Sequence, residues 1–207
     1  TAQLALAGVQ FDGGRFDLAD EIGNIEVPAP APAPEKAGEK EWTIMVFLNA
    51  KNNLEKYGIK DMNEMEMVGS SDKVNIVVEM GRMAGYDSSD GNWTGVRRYY
   101  VQKDDNTSRI TSPVVEDLGR LNMGDADELR KFIAWAKQRY PARRYALVLW
   151  NHGGGYTGLL QDETSAGSAL MTLSGLRTAL STVGTIDIID FDMCLMAGYE
   201  TLYSIRD

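Results

Sequence analysis

The sequence predicts an α/β fold: a mostly parallel central sheet with helices on both faces. Three observations carry this expectation. Four short apolar runs, at residues 43–48, 74–78, 145–150 and 186–191, have the length and continuity of strands covered on both sides. Stretches with helical spacing lie between them, so β and α units alternate along the chain, as a parallel sheet requires. The last two runs end near the only histidine, His152, and the only cysteine, Cys194. In an open α/β sheet the C-terminal edge of the strands is where ligand sites form.

Residues 1–40 differ from the rest of the chain. Gly13, Gly14 and several acidic residues interrupt short apolar pieces, PAPAPAP at 28–34 reads as a stiff extended linker, and 35–40 is charged. This segment is expected to be a leader or pro-segment with its Pro-Ala linker, and 41–207 the domain. Leu4 to Ala7 is too short for a targeting signal and lacks a basic region before it.

From Trp42 each element has a local reason. TIMVFL at 43–48 is the first strand. Asn52 or Asn53 can cap a helix in which Leu54, Tyr57, Met62, Met65 and Val68 recur near helical spacing, and Gly69 ends it. VNIVV at 74–78 is the second strand, followed by a long Gly-, Asp- and Ser-rich loop over 81–95. VRRYYV at 96–101 and SPVVEDL at 112–118 form a hairpin across the polar 103–108. Asp125 or Asp127 opens a helix with Leu129, Phe132, Ile133 and Ala136 on one face, which Pro141 stops. The strand before His152 comes next. Thr172 or Ser174 opens another helix, Gly184 stands at its end, and the strand before Cys194 leads to a last helix near Met196. That segment runs to Asp207 with no breaker, as expected of a fragment of a longer fold.

Composition narrows the function. With 207 residues, 43% hydrophobic and 25% charged, the chain can bury a sizeable core. A net charge of −9 argues against a phosphate-bound nucleic-acid partner. One cysteine excludes an internal disulfide, and no apolar run approaches the roughly 18–20 residues of a membrane span. One His and one Cys make a metal site an unpromising expectation.

Taken singly, a lone cysteine is most often a small buried hydrophobe and a lone histidine a structural residue. At matching strand ends the pair reads differently. A thiolate is a nucleophile, and a nearby imidazole both stabilises it and protonates a leaving amine. Gly153 to Gly155 come directly after His152, and backbone N–H groups without side chains can approach a substrate oxygen. Cys194 opens a strand-to-helix turn, so its own N–H is a second donor.

WNHGGG at 150–155 and FDMCLM at 191–196 resemble the clostripain family of cysteine peptidases, in the clan of caspases and gingipains. NNLE at 52–55, GVRRY at 95–99 and LNMGDADEL at 121–129 are similar to that family as well. The resemblance runs from about Trp42 to the end. It implies a caspase-like αβα sandwich with a mostly parallel sheet and a small hairpin, incomplete at the C-terminus. It implies catalysis by His152 and Cys194, oxyanion donors at Gly153 and Cys194, and a specificity position at Asp192. Residues i and i+2 of a strand share a face, which puts Asp192 beside Cys194, and a carboxylate there pairs with Arg or Lys at P1. Asp187 and Asp190 are expected to serve strand-edge solvation and turn hydrogen bonds, and Trp150 and Asn151 to pack the histidine loop.

The implied partners are polypeptides with a basic P1 residue and a C-terminal remainder of the same protein that completes the fold. Secretion or a cell-surface location is the family expectation. No cofactor is implied; calcium dependence, known in parts of the family, is not readable from these residues. Self-cleavage between the catalytic strands is a family habit, yet residues 157–174 contain no Lys or Arg for a basic-specific enzyme to cut.

Rival readings have specific defects. An α/β-hydrolase with an HGGG oxyanion loop needs a G-x-S-x-G elbow and a later histidine, both missing from the sequence. Papain-like enzymes place the cysteine before the histidine. A phosphate loop lacks the Walker lysine. A caspase-like scaffold that binds without catalysis is the surviving alternative.

Overall fold

The structure is a computed structural model that describes residues 10–11, 14–15, 39–165 and 170–206. Strands β1 (Gln10–Phe11) and β2 (Gly14–Arg15) pair as a small antiparallel hairpin. The expected leader and Pro-Ala linker otherwise lie outside the described residues. Lys40, expected to end the linker, instead opens the first strand of the main sheet.

That sheet has six strands: β3 (Lys40–Asn49), β4 (Val74–Arg82), β5 (Gly95–Tyr100), β6 (Val114–Gly119), β7 (Ala142–Trp150) and β8 (Ile188–Asp192). Their spatial order is β6-β5-β4-β3-β7-β8. β4, β3, β7 and β8 run parallel, and β5 and β6 add an antiparallel hairpin at one side. Helices α1 (Glu55–Val68), α2 (Ala126–Arg139), α3 (Leu173–Ser181) and α4 (Tyr199–Ser204) complete the predicted element order.

Strand alternation divides the core in two. On one face Met45, Phe47, Val77, Leu147 and Leu149 pack against Leu129, Phe132, Ile133 and Ala136 of α2 and Leu176 and Ala179 of α3. On the other, Val46, Leu48, Val78, Met80 and Trp150 meet Ile59 and Met62 of α1. The fully buried Phe132 packs on Phe47 at 5.7 Å between ring centroids, and truncating it to Ala is worth about 3–5 kcal/mol. Two of the three predicted caps form: Asp125 accepts from the Asp127 N–H at 2.9 Å, and Thr172 Oγ1 from the Gly175 N–H at 3.0 Å. The third does not: α1 starts from Leu54 with no side-chain cap, and Asn52 Oδ1 accepts from the Leu54 N–H ahead of the helix.

Two further expectations need correcting. In α1 the predicted stripe is only half right: Met62 is buried, but Tyr57 and Val68 are exposed. Much of the buried face is polar, with Glu55, Asn63 and Glu66. Glu55 grips Arg82 Nε at 2.7 Å, and Glu66 accepts from the Ser112 N–H at 2.6 Å and the Thr111 N–H at 3.0 Å. These carboxylates tie down loops far away in sequence, so apolar periodicity does not report them. The last helix starts at Tyr199, later than the expected Met196, because Gly198 is extended, with φ of −78° and ψ of 153°, and a helix cannot run through that conformation.

Candidate functional site

β7 and β8 are neighbours and parallel, with Trp150 opposite Asp192, so both deliver their next residues to the same sheet edge. Beyond Trp150 the chain is held by Asn151, whose buried Nδ2 donates to the Asn49 carbonyl at 2.7 Å and the Gln161 carbonyl at 2.9 Å. His152 comes next, half-buried, and its carbonyl accepts from the Leu160 N–H at 3.3 Å. The glycines then fold into a tight turn: the Gly154 N–H donates to the Gly158 carbonyl at 2.8 Å, and Gly155 sits at φ of 60°. A positive φ is inexpensive only for glycine.

On the other strand, Met193 packs into the core and Cys194 is exposed. Leu195 beside it is 75% exposed in its left-handed conformation, while Met196 is buried. A left-handed non-glycine residue costs on the order of 1–3 kcal/mol, the kind of strain that clusters at functional sites.

The two turns touch. A Cβ on Gly153 would collide with the Cys194 carbonyl oxygen and stand 2.7 Å from Met196 Cγ. At Gly155 a Cβ would lie 3.4 Å from the Leu195 carbonyl oxygen. The glycines after His152 therefore let its backbone lie flat against the turn carrying Cys194. His152, Gly153 and Cys194 share one end of the sheet, as the strand ends predict.

Asp192 looks along the sheet face covered by α1. A cleft of about 660 Å3 runs from it past Trp150 and Val148 toward Asp61, Glu64 and Met65 of α1. Burial pushes the Asp192 carboxyl above the ordinary carboxylate range, and the neighbouring Asp61 and Asp190 charges push the same way. Asp61 is raised too, first by burial, although it accepts a 2.8 Å hydrogen bond from Trp150 Nε1. Asp61, Asp190 and Asp192 thus crowd this end of the cleft, and the nearby Lys60, which lowers Asp61, is paired with Glu64 at 2.6 Å. Asp187 makes the expected edge contact, accepting from the Tyr145 N–H at 2.8 Å.

Two contributors carry no signal of their role in the sequence. Asn53 Oδ1 lies 2.7 Å from Nε2 of His152. Asp61, in mid-helix, joins Asp192 at the cleft. The first stands inside NNLE, where its position marks only a cap; the second has no local signature at all. Among the described residues no group of three or more His, Cys, Asp or Glu side chains is arranged to hold a metal ion.

The sequence profile of the clostripain family matches residues 46–207, which include both turns. The chain belongs to the clostripain family. This clostripain-family chain is 27% identical over 204 residues to clostripain of Hathewaya histolytica, across 87% of itself and 39% of that protein. Among solved structures it is similar to a secreted C11 cysteine protease from Bacteroides thetaiotaomicron in complex with an irreversible peptide inhibitor. That match has 26% identity and a TM-score of 0.67, over 81% of this chain and 46% of the other. An inactive zymogen C11 protease from Parabacteroides distasonis matches at 20% identity and a TM-score of 0.59, over 84% and 47%, and speaks for the fold alone. The chain thus spans half or less of the length of these relatives. Their fold agrees with the mixed six-stranded sheet and its flanking helices, the caspase-like sandwich that the sequence implies. No helix among the described residues is long and apolar enough to cross a membrane.

Proposed function

We propose that this chain is the dyad-bearing part of a cysteine endopeptidase that cleaves after Arg or Lys. The observation that carries the reading is the contact between Gly153 and the Cys194 carbonyl, which joins the histidine turn to the cysteine turn. In the proposed reaction the Cys194 thiolate attacks the scissile carbonyl and a C–S bond forms. The oxyanion accepts from the Gly153 and Cys194 N–H groups, whose stabilisation is worth most in a preorganised site. As the C–N bond breaks, the His152 imidazolium gives its proton to the departing amine. Water then attacks the thioester, releasing the acid and returning a proton to the imidazole.

Asp192 is the proposed P1 determinant. An ionised carboxylate in a partly desolvated cleft pairs well with a guanidinium or ammonium, and Asp61 and Asp190 add negative potential there. The proposed partners are polypeptides with a basic P1 residue and a further part of the same protein. Two observations support the latter. β8 stands last in the sheet order with Ile188 of that strand 50% exposed. The cleft leaves Ile44 and Val148 of its floor only half-buried. A strand added to β8 and an element laid over the floor would cover both. Export from the cell is proposed with the secreted relative in view.

The test is an irreversible probe with Arg or Lys at P1, applied to the protein completed at its C-terminus. Labelling of Cys194 by this probe, and not by its Asp-P1 counterpart, is expected. A Cys194 left unlabelled by both would favour the scaffold reading.

A further inference from the structure

Asn53 is exposed and sits just before α1, yet its amide oxygen reaches Nε2 of His152 at 2.7 Å, across 99 residues. Both ends of this contact are held from beneath. Asn52 is fully buried; its Oδ1 accepts from the Leu54 N–H at 2.7 Å, and its Nδ2 donates to the Asn49 carbonyl at 3.1 Å. On the far side Asn151 Nδ2 donates to that same Asn49 carbonyl at 2.7 Å. One backbone oxygen at the end of β3 therefore anchors the residue before Asn53 and the residue before His152. Asn49 is itself buried and donates through Nδ2 to the Leu160 and Gln161 carbonyls, each at 3.2 Å. Glu55, bound to Arg82, fixes the chain on the other side of Asn53.

An amide oxygen only accepts hydrogen bonds, so the ring nitrogen facing it must carry the proton. We propose that Asn53 is a positioning residue that holds His152 as its Nε2–H tautomer and leaves Nδ1 as the nitrogen that exchanges protons. This rests on the peptidase reading only for what Nδ1 serves, namely the Cys194 thiol and the departing amine; the tautomer assignment stands without it. The chemistry of an amide suits the task. A carboxylate in the same place would stabilise the imidazolium and make it a poorer acid, whereas a neutral acceptor orients the ring with little bias toward its charged form.

The test uses the fact that the chain has one histidine. Nitrogen-15 labelling of histidine gives two ring signals from one residue, told apart by their couplings to the ring C–H protons, and their shifts report the tautomer when the ring is neutral. In the unmodified protein the Nε2–H form is expected to exceed the share it holds in a free histidine side chain, where it already leads. Asn53→Ala should bring the shifts back to those of the free side chain. In the protein completed at its C-terminus, Asn53→Ala should lower kcat by about 10-fold or more with KM little changed, within the roughly 100- to 10,000-fold that general acid–base catalysis supplies. A dominant Nδ1–H form, or shifts that Asn53→Ala leaves untouched, overturns the proposal. An Nε2–H excess that Asn53→Ala removes, in a protein whose Cys194 resists the basic-P1 probe, supports the tautomer lock and instead removes the peptidase reading.

Discussion

Lys51 and Asp162, 111 residues apart in sequence, form an ion pair of 3.2 Å with both side chains withdrawn from water. Asp162 also accepts from the Met123 and Thr164 N–H groups, each at 2.9 Å, and the Glu163 N–H donates to the Lys51 carbonyl at 3.0 Å. The segment leaving the histidine turn is thereby fastened to the end of β3, two residues from Asn53. Removing one member of a buried pair strands the other charge, which costs about 3–5 kcal/mol. Asp162→Ala should lower the urea midpoint accordingly. The Lys51→Met and Asp162→Ala double variant should lose less than the sum of the single losses, because the stranded charge is gone. Strict additivity would show that the two do not act as a pair.

Gly153 makes the contact between the two turns, so it offers a direct probe of the site's architecture. Alanine there drives its methyl into the Cys194 carbonyl and the Met196 side chain. Overpacking of this kind costs about 1–3 kcal/mol in stability. The loss of function should be larger, since a displacement near 1 Å at reacting groups costs about 100-fold. Probe-labelling rate at Cys194, measured beside thermal unfolding, separates the two effects. Labelling at the unmodified rate would mean that the cysteine turn does not depend on this approach.

Much of this architecture is legible in the chain itself, for identifiable reasons. The apolar runs ending at His152 and Cys194 have the length and continuity of buried strands, and parallel pairing of β7 with β8 brings their ends to one edge. Asp125 and Thr172 announce α2 and α3 because a cap acts within three residues. Asn53 is legible as a polar residue before a helix, not as a partner of His152, because nothing local encodes a contact 99 residues long. Glu55 and Glu66 are hidden for the same reason. Acidic residues on a helix are ordinarily solvated, and only the fold brings Arg82 and the Ser112 N–H to them.

The raised carboxyl of Asp192 makes a statement about P1 preference and pH. Under the proposed assignment of Asp192 to P1, a basic side chain gains from it only when that carboxylate is ionised, whereas an uncharged isostere such as citrulline does not. The ratio of kcat/KM for Arg over citrulline peptides cancels the dyad's own titration. That ratio should rise with pH through a midpoint above the ordinary aspartate value of 3.8, because burial, Asp61 and Asp190 all raise it. Asp61→Asn removes one of those charges and should move the midpoint down. Asp192→Asn should flatten the ratio near one at every pH. A ratio that still climbs in Asp192→Asn assigns the preference to another carboxylate.

Glu79 provides a test remote from the site. It lies on β4 facing α2, buried, and its Oε2 accepts from Arg98 Nε at 2.7 Å across the β4–β5 pair. Its other oxygen has no hydrogen-bond partner among the described residues. Arg98 is shared with Glu116 at 2.9 Å, so one guanidinium faces two carboxylates. Burial pushes the Glu79 carboxyl up to about 7, against the pull of Arg98 and with Glu128 and Glu116 adding to the rise. The folded state then binds more protons than the unfolded one between the ordinary value of 4.5 and about 7. This group's contribution to stability is accordingly greatest below the lower value, falls as pH climbs through the interval, and is flat above it. Glu79→Gln keeps an acceptor for Arg98 and removes the titration. Urea unfolding from about pH 4.5 to 8 should show a shallower decline in this variant than in the unmodified protein, with the largest relative gain at the alkaline end. Parallel curves for the two proteins would mean that folding leaves Glu79 at its ordinary value, Arg98 offsetting its burial.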